Sequence, residues 1–164
     1  GKFEFLRNWS EVKIDPKTGK EKKLRLNVSQ PDRHAVVMSF FASWCQPCIK
    51  EIGELHKLKE EYADKPVQFF LVNLTEFFRH RQSDQKKYSE APDAREFLRR
   101  KGLTDITVLQ DPTGRTARAY GVSDVLPRLF VIDKYKTVQM DETGLCSSCL
   151  IDDLTPMIEE LIEN

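Results

Sequence analysis

The chain has 164 residues, which at a typical domain size of about 150 predicts one domain over residues 1–164. Its 26 basic and 26 acidic residues cancel to a formal charge of +0, so the positive excess that nucleic-acid binding or adhesion to anionic membranes needs is missing. An apolar share of 40% with 7 Gly and 8 Pro excludes collagen-like, low-complexity and wholly disordered classes.

No apolar run approaches the roughly 18 residues of a membrane span. The opening Gly1-Lys2-Phe3-Glu4 is neither an initiator Met nor a signal peptide, and the expectation is that an export signal has been removed. Residues 3–28 carry two strand-like stretches around Asp15-Pro16-Lys17-Thr18-Gly19, a turn composition. They predict an N-terminal hairpin with Lys20 to Lys23 on a solvated edge. Ala35-Val36-Val37-Met38-Ser39-Phe40-Phe41 is almost continuously apolar, the pattern of a central strand covered on both faces.

From Gln46 the period changes. Ile49, Ile52, Leu55, Leu58 and Tyr62 recur at helical spacing until Ala63-Asp64-Lys65-Pro66 stops the helix. Val67 to Leu74 reads as a second buried strand. Strand, helix and strand in succession form a right-handed crossover with parallel strands, so the class is α/β with an open sheet.

Residues 75–92 are highly charged with little apolar periodicity, and a solvated loop is expected around Phe77 to Lys87. Asp93-Ala94-Arg95-Glu96 reads as the capped start of a short helix ending before Gly102. Thr107 to Gln110 is a short strand, Asp111-Pro112-Thr113-Gly114 a turn, and Arg115 to Tyr120 a helix closed by Gly121. Leu129-Phe130-Val131-Ile132 and Thr137 to Asp141 bracket a turn and predict an antiparallel hairpin. Thr155-Pro156 suits the N-cap and first position of a last helix burying Ile158, Leu161 and Ile162.

Cys45-Gln46-Pro47-Cys48 lies where a strand gives way to a helix. A helix N-terminus offers unpaired N–H groups and partial positive charge, which stabilise a Cys45 thiolate. Cys48, one turn along the same face, can then attack a mixed disulfide formed on Cys45. Pro47 is tolerated because a first-turn residue needs no N–H partner. By spacing alone the pair is also half of a zinc site. Its place between an apolar strand and an amphipathic helix favours redox chemistry over metal, and neither a metal nor a cofactor is expected.

Cys146-Ser147-Ser148-Cys149 forms a second such pair between the last strand and the last helix. Three readings stay open: a second redox pair, a local disulfide, or a zinc site shared with the first pair. The small ring gains little entropy on closure, which weakens the local staple. His34, His56 and His80 make no metal-spaced pair with another His or Cys and read as surface residues.

Phe41-Ala42-Ser43-Trp44-Cys45-Gln46-Pro47-Cys48-Ile49-Lys50-Glu51 resembles the active-site segment of the thioredoxin superfamily, in its TlpA/ResA-like branch, which includes cytochrome c maturation reductases. Tyr120-Gly121-Val122-Ser123-Asp124-Val125-Leu126-Pro127-Arg128-Leu129-Phe130-Val131-Ile132-Asp133 is similar to that family's segment around a cis-proline and the next strand. The resemblance implies a thioredoxin-like α/β fold. A central mixed sheet would be flanked by helices, with the core over about 35–164, the N-terminal β-hairpin over about 3–28 and a charged insertion near 75–101.

The resemblance also implies roles. Cys45 would attack and Cys48 resolve. Trp44 would pack beside the disulfide, and Pro127 would be the cis-proline facing it, with Leu126 and Pro47 also on the substrate side. Glu51 matches the branch's acidic residue and shares a helix face with Cys48, so it would tune the thiols or accept a proton. Ser39 stands where distant members carry a buried Asp, Arg128 where a small hydroxyl residue is common, and Gly53 where a kinking proline is usual. The loop holding Cys146 and Cys149 would lie on the active-site face.

The implied protein is a thiol-disulfide oxidoreductase that reduces disulfides of exported proteins. Its partners would be a disulfide-containing protein substrate and an upstream thiol electron donor. It is expected to be a monomer, tethered to the membrane in the periplasm or another extracytoplasmic space of a bacterium. Glu51 beside the thiolate favours the reducing direction. The rival readings are a disulfide oxidase or isomerase on the same fold, a zinc-stabilised binding module without turnover, and an adaptor that docks through the insertion.

Overall fold

The computed structural model describes residues 10–14, 21–25, 34–82, 84–135, 137–144 and 148–163. Ser10–Ile14 (β1) and Glu21–Arg25 (β2) pair antiparallel with Val12 opposite Lys23. The hairpin is therefore present, and its turn at 15–19 lies outside the described residues. Ala35–Phe41 (β3) is buried at every position, as an unbroken apolar strand with helices on both sides must be.

Gln46–Glu61 (α1) connects β3 to Val67–Asn73 (β4), and the two strands run parallel with Ser39 beside Leu71. Thr75–Arg81 (α2), Lys86–Ser89 (α3) and Ala94–Arg100 (α4) lead to Thr107–Gln110 (β5). Arg115–Ala119 (α5), Arg128–Asp133 (β6), Val138–Thr143 (β7) and Leu150–Glu163 (α6) complete the order. The sheet runs β2-β1-β5-β4-β3-β6-β7. Its middle strands β5, β4 and β3 are parallel, while β1, β6 and β7 add antiparallel neighbours.

Strand alternation splits the core in two. Val36, Met38 and Phe40 face one side with Phe70, Val72 and Phe130, under α2, α3 and α5. Val37 and Phe41 face the other with Leu71, Leu129 and Val131, under Ile52, Leu55 and Leu58 of α1 and Leu154 and Ile158 of α6. Ser39 shares the parity of Val37 and Phe41 and so belongs to the α1 side. No helix among the described residues is long and apolar enough to cross a membrane.

Two segments differ from expectation. The stretch around Phe77 to Lys87 contains two short helices, not a solvated loop. Phe78 and Tyr88 drop into the core beside Phe70 and Val72, and these anchors are too far apart in sequence to register as a period. The last helix begins at Leu150, and Pro156 lies inside it. A proline there forgoes one hydrogen bond, at about 3 kcal/mol. Burial of Leu150 and Leu154, ahead of the proline, returns about 2 kcal/mol each and outweighs that loss.

Candidate active site

The chain leaves β3 through Ala42, Ser43 and Trp44 and enters α1 at Cys45. Cys45 is the N-cap, with φ −93 and ψ 102. Its N–H donates to the Ala42 carbonyl at 3.1 Å, and its Sγ accepts the Cys48 N–H at 3.3 Å. Sulfur thus takes the place of the oxygen that normally satisfies a first-turn donor. Cys45 and Cys48 form a disulfide with Cα atoms 5.3 Å apart. Cys48 is fully buried, Cys45 is 4% exposed, and Gln46 and Pro47 between them are exposed.

The loop before Cys45 is fastened by the segment after β4. Asn73 Oδ1 accepts the Thr75 N–H at 2.9 Å while its Nδ2 donates to Glu76 and Gln110, both at 2.8 Å. Thr75 is thereby placed so that its Oγ1 accepts the Ser43 N–H at 3.0 Å. The Ser43 hydroxyl donates to the Pro92 carbonyl at 2.6 Å. Trp44 is half-buried, edge to face with Phe78 at 5.4 Å, and Phe78 stacks on Tyr88 at 5.4 Å. Lys87 Nζ stands 5.1 Å from the Trp44 ring centre and 4.8 Å from that of Tyr88. Phe78, Lys87 and Tyr88 join the site only through this packing, since aromatics scattered in a charged run carry no period.

The Leu126–Pro127 peptide bond is cis. Leu126 and Trp44 pack against the buried cluster that contains Cys45 and Cys48. The Pro127 carbonyl accepts the Gly144 N–H at 3.2 Å, tying the proline to the end of β7. Arg128, next in the chain, donates through Nε and Nη2 to the two carboxylate oxygens of Asp141 and through Nη1 to the Gly121 carbonyl.

Glu51 is one turn beyond Cys48 and 1% exposed. Its Oε1 accepts the Ser39 hydroxyl at 2.6 Å, and its Oε2 has no hydrogen-bond partner among the described residues. Burial pushes this carboxyl up to about 7, against a downward pull from the Ser39 bond. The group therefore exchanges protons near neutrality, where an ordinary glutamate is already ionised. A two-electron exchange between sulfurs runs through a thiolate and a disulfide, and the Cys45–Cys48 pair supplies both sulfurs of such a couple.

The remaining candidates are dispersed. Cys149 is disulfide-bonded and half-buried, immediately before α6, and Cys146 lies outside the described residues. His80 is exposed and His34 is half-buried. His56 is partly covered and shares a hydrogen bond of 2.9 Å with Asp105. His56, Glu60 and Asp105 bring one potential ligand atom each within 4.8 Å of one another, an arrangement the histidine spacing did not suggest.

Thiol-disulfide oxidoreductase ResA of Geobacillus thermodenitrificans (strain NG80-2) is 29% identical over 109 residues, which cover 66% of this chain and 54% of that one. The chain thus spans about half the length of this relative. A thioredoxin-like protein from Aeropyrum pernix superposes with a TM-score of 0.63 at 17% identity, over 90% of this chain and 88% of that one. A putative thiol:disulfide interchange protein DsbE from Chlorobium tepidum superposes with a TM-score of 0.59 at 24% identity, over 95% and 99%. These likenesses establish the thioredoxin-like fold. Residues 11–140, the greater part of the sequence, match the AhpC/TSA family profile, and the chain belongs to the AhpC/TSA family.

Proposed function

We propose that the chain is a thiol-disulfide oxidoreductase that works as a protein-disulfide reductase, with residues 1–164 forming one domain. One observation carries this reading: Cys45 caps α1 through its sulfur and is bonded to Cys48 one turn inward. In the reduced protein the same N–H groups and helix dipole stabilise a Cys45 thiolate.

The Cys45 thiolate attacks a substrate disulfide, forms a mixed disulfide and expels one substrate thiolate. Cys48 loses its proton to Glu51 and attacks the Cys45 sulfur. The Cys45–Cys48 bond forms, the second substrate sulfur leaves with a proton, and two electrons have passed to the substrate. Trp44, Pro47, Leu126 and Pro127 form the face that receives the substrate, and an upstream thiol donor re-reduces the pair. Cys146 and Cys149 are assigned as a second redox pair serving Cys45.

The names ResA and DsbE among the proteins it resembles support an extracytoplasmic, membrane-tethered protein acting on exported proteins, with cytochrome c maturation as its setting; the reading takes it to act as a monomer. Glu51 close to the thiolate opposes its charge and favours reduction over oxidation.

Trapping tests the chemistry. Cys48→Ser is expected to accumulate a covalent adduct between Cys45 and the physiological disulfide protein, released by reductant. Absence of any adduct from both intact cells and model disulfide peptides overturns the enzymatic reading. Titration in glutathione buffers tests direction, since a potential near about −120 mV belongs to an oxidant and not to a reductant.

A further inference from the structure

Ser39 lies within β3 with its side chain on the α1 face, flanked on the sheet by Leu71 of β4 and Leu129 of β6. Both neighbours are fully buried and apolar, and Ser39 itself is 1% exposed. A hydroxyl in such surroundings costs stability unless it is bonded. Its bond goes to Glu51 Oε1 across twelve residues of sequence, and Oε2 of that buried carboxyl has no partner among the described residues.

We propose that Ser39 is a positioning residue of the redox site, whose hydroxyl holds Glu51 by Oε1 and reserves Oε2 for proton exchange with Cys48. This rests on the reading that Glu51 accepts the Cys48 proton. In the resolving step Cys48 gives its proton to Oε2, its sulfur bonds to Cys45 as the Cys45–substrate bond breaks, and the departing substrate thiolate takes that proton back. The two electrons come from the dithiol, and Ser39 changes neither its bonds nor its charge.

The described surroundings of Glu51 are few: β3 supplies Ser39, whose sheet neighbours Leu71 and Leu129 are apolar, and α1 carries Cys48 three residues earlier. Burial raises the carboxyl and the Ser39 bond lowers it, and no other charged side chain among the described residues enters that balance. A bond to the ionised form is stronger than one to the neutral form, so Ser39 keeps Glu51 able to act as a base near neutral pH.

Isotope-edited NMR of the Glu51 carboxyl in the oxidised protein tests the contact. Stopped-flow release of the coloured thiol from dithiobis(nitrobenzoate) by the reduced protein tests its consequence. The first thiol released reports attack by Cys45, and the second reports resolution by Cys48. Ser39→Ala is expected to raise the Glu51 midpoint, and the pH midpoint of the second release, by about one unit, the worth of one hydrogen bond to a charged group. The first release shifts less than the second, and Ser39→Thr, which retains the hydroxyl, restores the wild-type values.

An unchanged Glu51 midpoint in Ser39→Ala overturns the inference, as does a shifted midpoint with an unshifted second release. Glu51→Gln separates the two levels. If it removes the inflection that Ser39→Ala leaves unmoved, only the role of Ser39 falls. If it leaves the second release unaltered, the reading of Glu51 as proton acceptor falls and takes the inference with it.

Discussion

Trp44 and Tyr88 meet edge to face, with ring centres 5.0 Å apart and planes at 79°. Tyr88 is buried on α3, so a residue of the charged insertion forms part of the wall that holds the tryptophan next to Cys45. Tyr88→Ala is expected to cost about 3 kcal/mol, the usual range for emptying a buried aromatic site. In a Trp9→Phe background, which leaves Trp44 as the remaining tryptophan, its emission should move to longer wavelength as water reaches the indole. Urea denaturation followed by fluorescence measures both.

The Glu51 carboxyl gives the fold a pH dependence of definite sign. Its native value of about 7 lies above the ordinary 4.5, so the unfolded chain releases this proton first. The associated stability is complete below about pH 4.5, falls as pH rises, and is gone above about 7. The total is on the order of 3 kcal/mol. Glu51→Gln cannot titrate, so its stability relative to wild type should improve across that window and level off beyond it. Chemical denaturation of the oxidised proteins at acidic, neutral and mildly alkaline pH gives the comparison.

Arg128 and Asp141 are joined by a two-pronged ion pair, in which Arg128 Nη2 donates to Asp141 Oδ2 at 2.9 Å. Asp141 is 41% exposed, so solvent screening holds the coupling to at most about 1 kcal/mol in a double-mutant cycle. The larger expected effect is on substrate choice, because Arg128 directly follows the cis-proline. Asp141→Ala releases the guanidinium and should raise kcat/KM for disulfide peptides flanked by acidic residues relative to neutral ones. Equal rates for both peptides would confine the pair to a structural role.

Gly53 lies within α1, and a methyl group built on it meets nothing within 4 Å. Gly53→Ala is therefore expected to stabilise the protein by about 0.5–1 kcal/mol, through the lower backbone entropy of the unfolded chain. Thermal unfolding should show a raised Tm with exchange activity retained.

What was legible in the sequence is what repeats or punctuates. The apolar run Ala35 to Phe41, the helical spacing from Ile49 to Leu58 and the turn at Asp111 to Gly114 each carry their own local signal, and each element appears where expected. The cysteine pair was readable because its chemistry depends on local spacing and on a helix start. Contacts made by folding were not readable. Ser39 finds Glu51 only when α1 packs on the sheet, and Arg128 finds Asp141 only through the hairpin register that sets Phe130 opposite Asp141. The buried anchors of the insertion carry no stripe, because they are isolated aromatics among charges, and the start of α6 is set by the burial of Leu150 and Leu154 and not by the Thr155-Pro156 signal.

Ser43 is gripped twice, its amide by Thr75 and its hydroxyl by the Pro92 carbonyl. Those two anchors bracket the insertion helices, so α2 and α3 are fastened onto the residue two places before Cys45. A force applied to the outer surface of that segment arrives at Cys45 through a short lever. Replacing this segment is accordingly expected to move the backbone ahead of Cys45, even where every cysteine is left untouched.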